Sequence, residues 1–165
     1  MKRLSCFLLF LILLIPCASA ETNDLIFDLY NAFAEEFTEL EADVLPEDFN
    51  LSVRDDGTAS RLYSISDKLK VMFISDSDDV YYILVWDISA SVDDEFLSAC
   101  KIATMTMMLD YNSGALNIVD QKYRLVLEGK ESDPSLVDGY YIHLEKGTGY
   151  FFSIMSQEGF REHNK

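Results

Sequence analysis

Val80-Tyr81-Tyr82-Ile83-Leu84-Val85-Trp86-Asp87-Ile88 is the stretch that decides the architecture. As a strand it puts Tyr82, Leu84, Trp86 and Ile88 on one face and Tyr81, Ile83 and Val85 on the other, because side chains alternate along extended backbone. A strand apolar on both sides is central in its sheet and covered twice, or turns one face to a partner. Upstream, Phe49, Leu51 and Val53 alternate with polar residues, and Asp55-Asp56-Gly57 is a hairpin turn. A second strand is expected from Thr58 to Ile65, a turn at Ser66-Asp67-Lys68, and a third strand from Lys70 to Ser75. The acidic loop Asp76-Ser77-Asp78-Asp79 then leads into Val80, completing a four-stranded antiparallel meander.

Helices flank this meander. Ile26, Leu29, Phe33, Phe37, Leu40 and Val44 recur at three- and four-residue steps, the spacing of one helical face. A helix is therefore expected over Asn23–Leu45, capped by Thr22 or Asn23 and stopped by Pro46. A second is expected over Asp93–Tyr111, with Ser91 as cap, acidic residues in its first turn and Asn112-Ser113-Gly114 at its end. Ala115–Gly129 fits both periods, and the reading taken is a short third helix running into an extended piece. Asp133-Pro134 is a loop. A closing hairpin pairs Tyr140–Glu145 with Tyr150–Met155 across Lys146–Gly149, and the last ten residues, being polar, are expected to fray. Runs of strands separated by helices define the α+β class.

The first twenty residues have a different character. Lys2 and Arg3 precede an apolar run from Leu4 to Ile15, then Pro16 and Ala18-Ser19-Ala20. This is the three-part pattern of a secretory signal peptide, cleaved after Ala20. The run is shorter than the roughly 20 apolar residues of a membrane anchor. Pro16, standing where lipoprotein processing needs a small residue, argues against lipidation at Cys17. The expectation is one secreted or extracytoplasmic domain, residues 21–165, with no membrane association after cleavage.

The formal charge is −16, and losing Lys2 and Arg3 makes it −18. A field of that sign repels nucleic-acid phosphates and anionic lipid headgroups. Of three cysteines, Cys6 and Cys17 leave with the signal, so Cys100 has no intramolecular partner and the core alone holds the domain. Asn50-Leu51-Ser52 matches a glycosylation acceptor, a tripeptide common by chance.

The signal, the early helix followed by a meander, and the helix around Phe96-Leu97-Ser98-Ala99-Cys100 with a terminal hairpin at Tyr140 and Phe152 together resemble small exported proteins of unknown function from Gram-positive, gut-type bacteria. The resemblance lies in element order and covers most of the chain. It implies an exported α+β domain and carries no active-site residues.

Chemistry-bearing motifs are sparse. A cysteine–histidine dyad would have to pair Cys100 with His143 or His163, but Cys100 sits on an apolar helical face, where cysteine behaves as a small hydrophobe. Two histidines make a poor zinc set. The Asp76–Asp79 loop has Val80 and Tyr81 where a calcium loop needs a ligand and glycine. No phosphate loop, nucleophile elbow or zincin helix occurs. No catalytic residue, metal site or cofactor is therefore assigned. What remains is aromatic. With Tyr140, Ile142, Leu144, Tyr150, Phe152 and Ile154 in the core, Tyr141, His143, Phe151 and Ser153 point outward, and Tyr81 is expected to join them from a neighbouring strand. Tyr81, Tyr141, His143 and Phe151 are the candidate binding residues, unless a helix covers that face. Met105 and Met108 pose the same choice between recognition surface and helix packing. The function expected is a non-enzymatic exported module binding a protein or cell-envelope component, or a secreted inhibitor of a foreign enzyme. The alternative is an extracytoplasmic hydrolase with a cleft of polar groups.

Overall fold

The computed structural model describes residues 18–76 and 79–163. Residues 1–17, most of the stretch expected to be a signal peptide, lie outside the described residues, as do Ser77 and Asp78. The chain runs α1 (Ala18–Ala34), a 3-10 turn (Pro46–Asp48), β1 (Asn50–Val53), β2 (Ala59–Ser64), β3 (Leu69–Ser75), β4 (Val80–Asp87), α2 (Asp94–Met108), α3 (Ser113–Leu127), β5 (Ser135–Val137), β6 (Tyr140–Lys146), β7 (Tyr150–Ser156) and α4 (Gln157–His163). The class is α+β, and β4 is central, as its composition requires.

All seven strands form one antiparallel sheet in the order β1-β2-β3-β4-β7-β6-β5. The meander and the closing hairpin are therefore continuous: β7 pairs with β4, Leu84 opposite Ser153 and Val85 opposite Phe152. One face is sealed. Val71, Val85, Phe152 and Leu144 form one buried row across four strands, and Phe73, Ile83, Ile154 and Ile142 form the next. α2 lies over β4 and β7, α3 over β6, and α1 against α2. Because α2 is enclosed by the sheet and two helices, nearly its whole circumference is buried, including Phe96, Ile102 and Met105. Small Ala99, Cys100 and Ala103 let it approach closely. Met105 is therefore core, and Met108 is half-buried against it.

α1 ends eleven residues before the expected Leu45. The Asn31 side chain donates to the Val44 carbonyl at 2.7 Å and accepts from the Val44 amide at 3.0 Å, folding residues 35–44 back over the helix end. Glu35, Glu36, Glu39 and Glu41 could not continue the helix cheaply, since carboxylates repel one another at these spacings and oppose the dipole at a helix C-terminus. Leu40 and Val44 still reach the core, from a loop.

The later elements need further corrections. Asp93, not Ser91, caps α2, accepting from the Phe96 amide at 3.1 Å. α2 stops at Met108, with Leu109 left-handed at φ 54°. Asn112 begins α3 instead of ending α2, its side-chain oxygen accepting from the Ala115 amide. Ala115–Leu127 is helical throughout, closed by Gly129 at φ 70° and a bond from Lys130 to the Leu125 carbonyl, the pattern of a glycine-terminated helix. β5 was not expected; it turns into β6 at Asp138-Gly139, both left-handed, as a two-residue hairpin requires. The polar tail is α4 rather than frayed as far as His163.

Burial alone would push the Asp93 carboxyl up, but Lys68 and the Phe96 amide bond it and hold it below its ordinary value. A carboxyl with a depressed folded-state pKa contributes stability above its unfolded value of about 3.9, and that contribution is lost as pH falls through the folded-state value. Asparagine caps as well as aspartate. Denaturant melts of Asp93→Asn should therefore lose less stability between pH 6 and pH 3 than the wild type does. The difference should stay below about 1 kcal/mol for so exposed a pair.

Candidate functional site

The site is the sheet face opposite the helices. Strand register puts Leu62, Met72, Leu84, Ser153 and His143 in one row across β2, β3, β4, β7 and β6. Ser60, Ile74, Tyr82, Met155 and Tyr141 form the next row toward the β3–β4 loop, and Ser64, Lys70, Trp86, Phe151 and Glu145 lie on the opposite side. The apolar members are all half-buried. None of them belongs to the buried core or to the side chains packed against it. Away from the corner where α4 docks, their shielding comes from one another. At strand spacings of about 4.8 Å and same-face steps of about 6.8 Å, the apolar field covers on the order of 300–400 Å², the size at which a surface patch is commonly functional.

Charge is nearly absent from this field. Lys70 and Glu145 are the two ionised side chains among these rows, both at one end, although the chain carries 29 acidic residues. The loops at the other end carry Asp55, Asp56, Asp76 and Asp79. Burial pushes the Tyr82 phenol up despite a bond with Ser153, so this tyrosine is a neutral element of the surface.

Three expected site residues, Tyr141, His143 and Phe151, fall on this face as their alternation demands. Tyr81 arrives differently. By simple alternation it would share the inner face with Ile83 and Val85, but the β3–β4 register slips at Ile74/Ser75, so Val80 pairs with Ser75 and Tyr82 with Ile74. The extra residue is Tyr81. A bulge of this kind re-aims a side chain, here to where α4 docks. Phe160 of α4 stacks on Tyr141 at 4.2 Å between ring centroids. Gly159 presses on Tyr81 so closely that a Cβ there would lie 2.5 Å from the Tyr81 ring. A helix thus covers one corner of the face, over two of the four expected residues, and leaves Trp86, Phe151, Leu84, Met72 and Leu62 outside its footprint. Of these, Phe151 was expected; Leu62, Met72, Leu84 and Trp86 were missed because their membership depends on β7 lying beside β4, a long-range pairing. Nothing local specifies it.

Cys100 is buried under the helices, and burial pushes its thiol well up. His143 points from the other side of the sheet, so the two do not meet. The His163 side chain lies outside the described residues. Asp76 and Asp79 close a solvated turn, the Asp79 amide bonding the Asp76 carboxylate at 3.0 Å. No group of three or more potential metal ligands occurs among the described residues, and none of the described helices is long and apolar enough to cross a membrane.

His143 also touches a polar cleft of about 370 Å³ at the β6 edge, walled by Lys130, Asp133, Glu145 and Lys146. Its far wall is a tethered loop. Buried Lys122 donates to the Asp133 carbonyl at 2.5 Å, and the Ser132 hydroxyl donates to the Leu144 carbonyl at 3.1 Å. Burial holds the Lys122 ammonium below its usual value. These bonds fix the loop.

The geometry defines an α+β domain with one sealed sheet face and one open apolar face. Comparison with protein-family models, with curated proteins and with solved structures finds no match.

Gly159→Ala should lift α4 from Tyr81 and Tyr141. Amide exchange across residues 157–163 should speed up at least tenfold while exchange in β4 and β7 stays within threefold. Unchanged protection of α4 would mean that its docking does not depend on that contact.

Proposed function

We propose that this chain is an exported, non-enzymatic binding domain whose outer sheet face holds a protein partner. The observation carrying the reading is the charge-poor field of Trp86, Phe151, Leu84, Met72, Leu62 and Ile74, which packs against none of the core. Aromatic and methionine side chains on a rigid sheet supply contact area at low entropic cost. Export rests on the leader pattern of residues 1–20 and agrees with the resemblance to small exported bacterial proteins.

The partner's chemistry follows from the surroundings. An apolar field bounded at one end by Asp55, Asp56, Asp76 and Asp79 complements an apolar patch with a basic margin. A second copy is the less favoured occupant, because two chains of formal charge −16 would bring their acidic ends into one interface.

Capture of envelope and medium proteins on the immobilised protein, followed by affinity measurement on the purified hit, tests the reading. Trp86 and Phe151 are direct cross-strand neighbours. Trp86→Ala/Phe151→Ala should weaken the partner by about 30-fold or more, the effect of truncating central aromatic anchors, with the thermal midpoint nearly unchanged because neither residue packs on the core. Sedimentation of the wild type at micromolar concentration should give a monomer. A partner held equally well by the double variant would refute the assignment, and a tight dimer lost in it would make the occupant a second copy.

A further inference from the structure

Ser156 ends β7 and Gln157 begins α4, so strand passes directly into helix. Two bonds fix that junction. The Gln157 amide donates to the Gly139 carbonyl at 2.9 Å, and the Gly159 amide donates to the Ser156 hydroxyl oxygen at 3.1 Å. α4 itself has seven residues, far fewer than an isolated helix needs in water. Side-chain docking must therefore hold it. Gly159 is buried against Tyr81, and Phe160 stacks on Tyr141 with the ring planes at 27°, while Glu158 and Arg161 are exposed. Phe160 belongs neither to the core nor to the side chains packed against it.

What α4 covers is one end of the apolar field. Tyr141 continues the row of Ile74, Tyr82 and Met155, the row toward the loop that carries Asp76 and Asp79. The segment lying there brings an aromatic ring, Phe160, and next to it a basic side chain, Arg161. That is the chemistry which this face and its acidic loops complement in a partner: apolar contact with a basic margin. Close tethering supplies effective concentrations in the millimolar range, so a contact this small suffices to keep the segment docked. Elements with so few contacts lie at the low end of local stability.

We propose that α4 is a tethered stand-in for the partner: it fills the Tyr141 end of the outer face, and an incoming chain displaces it by bringing an aromatic side chain beside a basic one to Tyr141. The proposal rests on the outer face being the partner surface and adds how that surface is regulated. With α4 released, the field extends from Trp86 to Tyr141. One stacked ring with its apolar burial favours the docked state by about tenfold. An occupant that selects the open state binds more weakly by that factor.

The test compares the wild type with three variants of the whole chain. Phe160→Ala removes the stack, Arg161→Pro breaks the helix, and Phe160→Tyr keeps the ring. The first two should bind the captured partner about tenfold more tightly than the wild type does, and Phe160→Tyr should match the wild type within twofold. A synthetic peptide of residues 156–165 is a second probe and needs no partner. It should give saturable shifts of the Tyr141 ring signals in the Phe160→Ala protein, with a Kd on the order of 1 mM, and bind the wild type about tenfold more weakly. The same peptide carrying Phe160→Ala should give no such shifts. Equal partner affinity in the wild type and both open variants, with Trp86→Ala/Phe151→Ala still losing the partner, overturns the displacement and leaves the outer face as the partner surface. Weaker binding by the open variants also overturns it, because α4 would then belong to the interface. So does a peptide that leaves the Tyr141 signals unmoved, again without touching the outer-face reading. A partner kept by the double variant removes that reading and the proposal together.

Discussion

The structure depends on one imbalance: β4 is apolar on both faces, but the chain lays its large helices over only one. Ile83 and Val85 face α2 and are fully buried, while Tyr82, Leu84 and Trp86 face outward on the other side of the sheet. Placing β4 at the middle of seven strands sets its outer residues beside Met72, Phe151 and Met155, so each is half-shielded although α4 covers only one corner of the face. The sealed face supplies stability, and the open face keeps its apolar side chains half-exposed. An antiparallel sheet tolerates this division, whereas a parallel one buries both sides.

The acidity of the chain acts on the same division. Carboxylates are concentrated in loops and helix surfaces, which keeps an apolar-faced sheet from stacking on its own copies. The edge strand β1 shows the same protection. Leu51 and Val53 are exposed there, on a strand of four residues set between Glu47-Asp48 and Asp55-Asp56, and short, charge-flanked edges resist strand pairing.

What the sequence made legible was local. The β1–β2 turn, the β2–β3 turn, β3, β4 and the hairpin of β6 and β7 all followed from period-two alternation between turn residues. So did the outward direction of Tyr141, His143 and Phe151. The failures were of two physical kinds. Some local signals were present but outweighed: Asn112 as a cap, Gly129 as a helix terminator and Asp138-Gly139 as a hairpin turn all mark α3 and β5. Others were not local. The Asn31–Val44 clasp that ends α1, the insertion of β7 beside β4, and the docking of Phe160 on Tyr141 each join residues that periodicity does not link. The sealed core was thus more legible than the candidate site, because the core is a property of strands and the site is a property of their pairing.

The bulge at Tyr81 shows how closely the two faces are coupled. One extra residue in β4 separates Val80, which is buried on the inner face, from Tyr82, which lies in the outer field. Tyr81 itself supports α4 through Gly159, and Ser156, the last residue of β7, leads directly into α4. The buried inner row and the covered corner of the sheet therefore share backbone at β4 and β7. Any shift of β4 along its register would turn the inner row outward, since a one-residue slip exchanges the two faces. With Ile83 and Val85 fully buried between sheet and α2, that slip is prohibitively costly, so the bulge stays where it is. The same burial that stabilises the fold thereby fixes the inner row of β4 and the aromatic corner as opposite sides of one strand end.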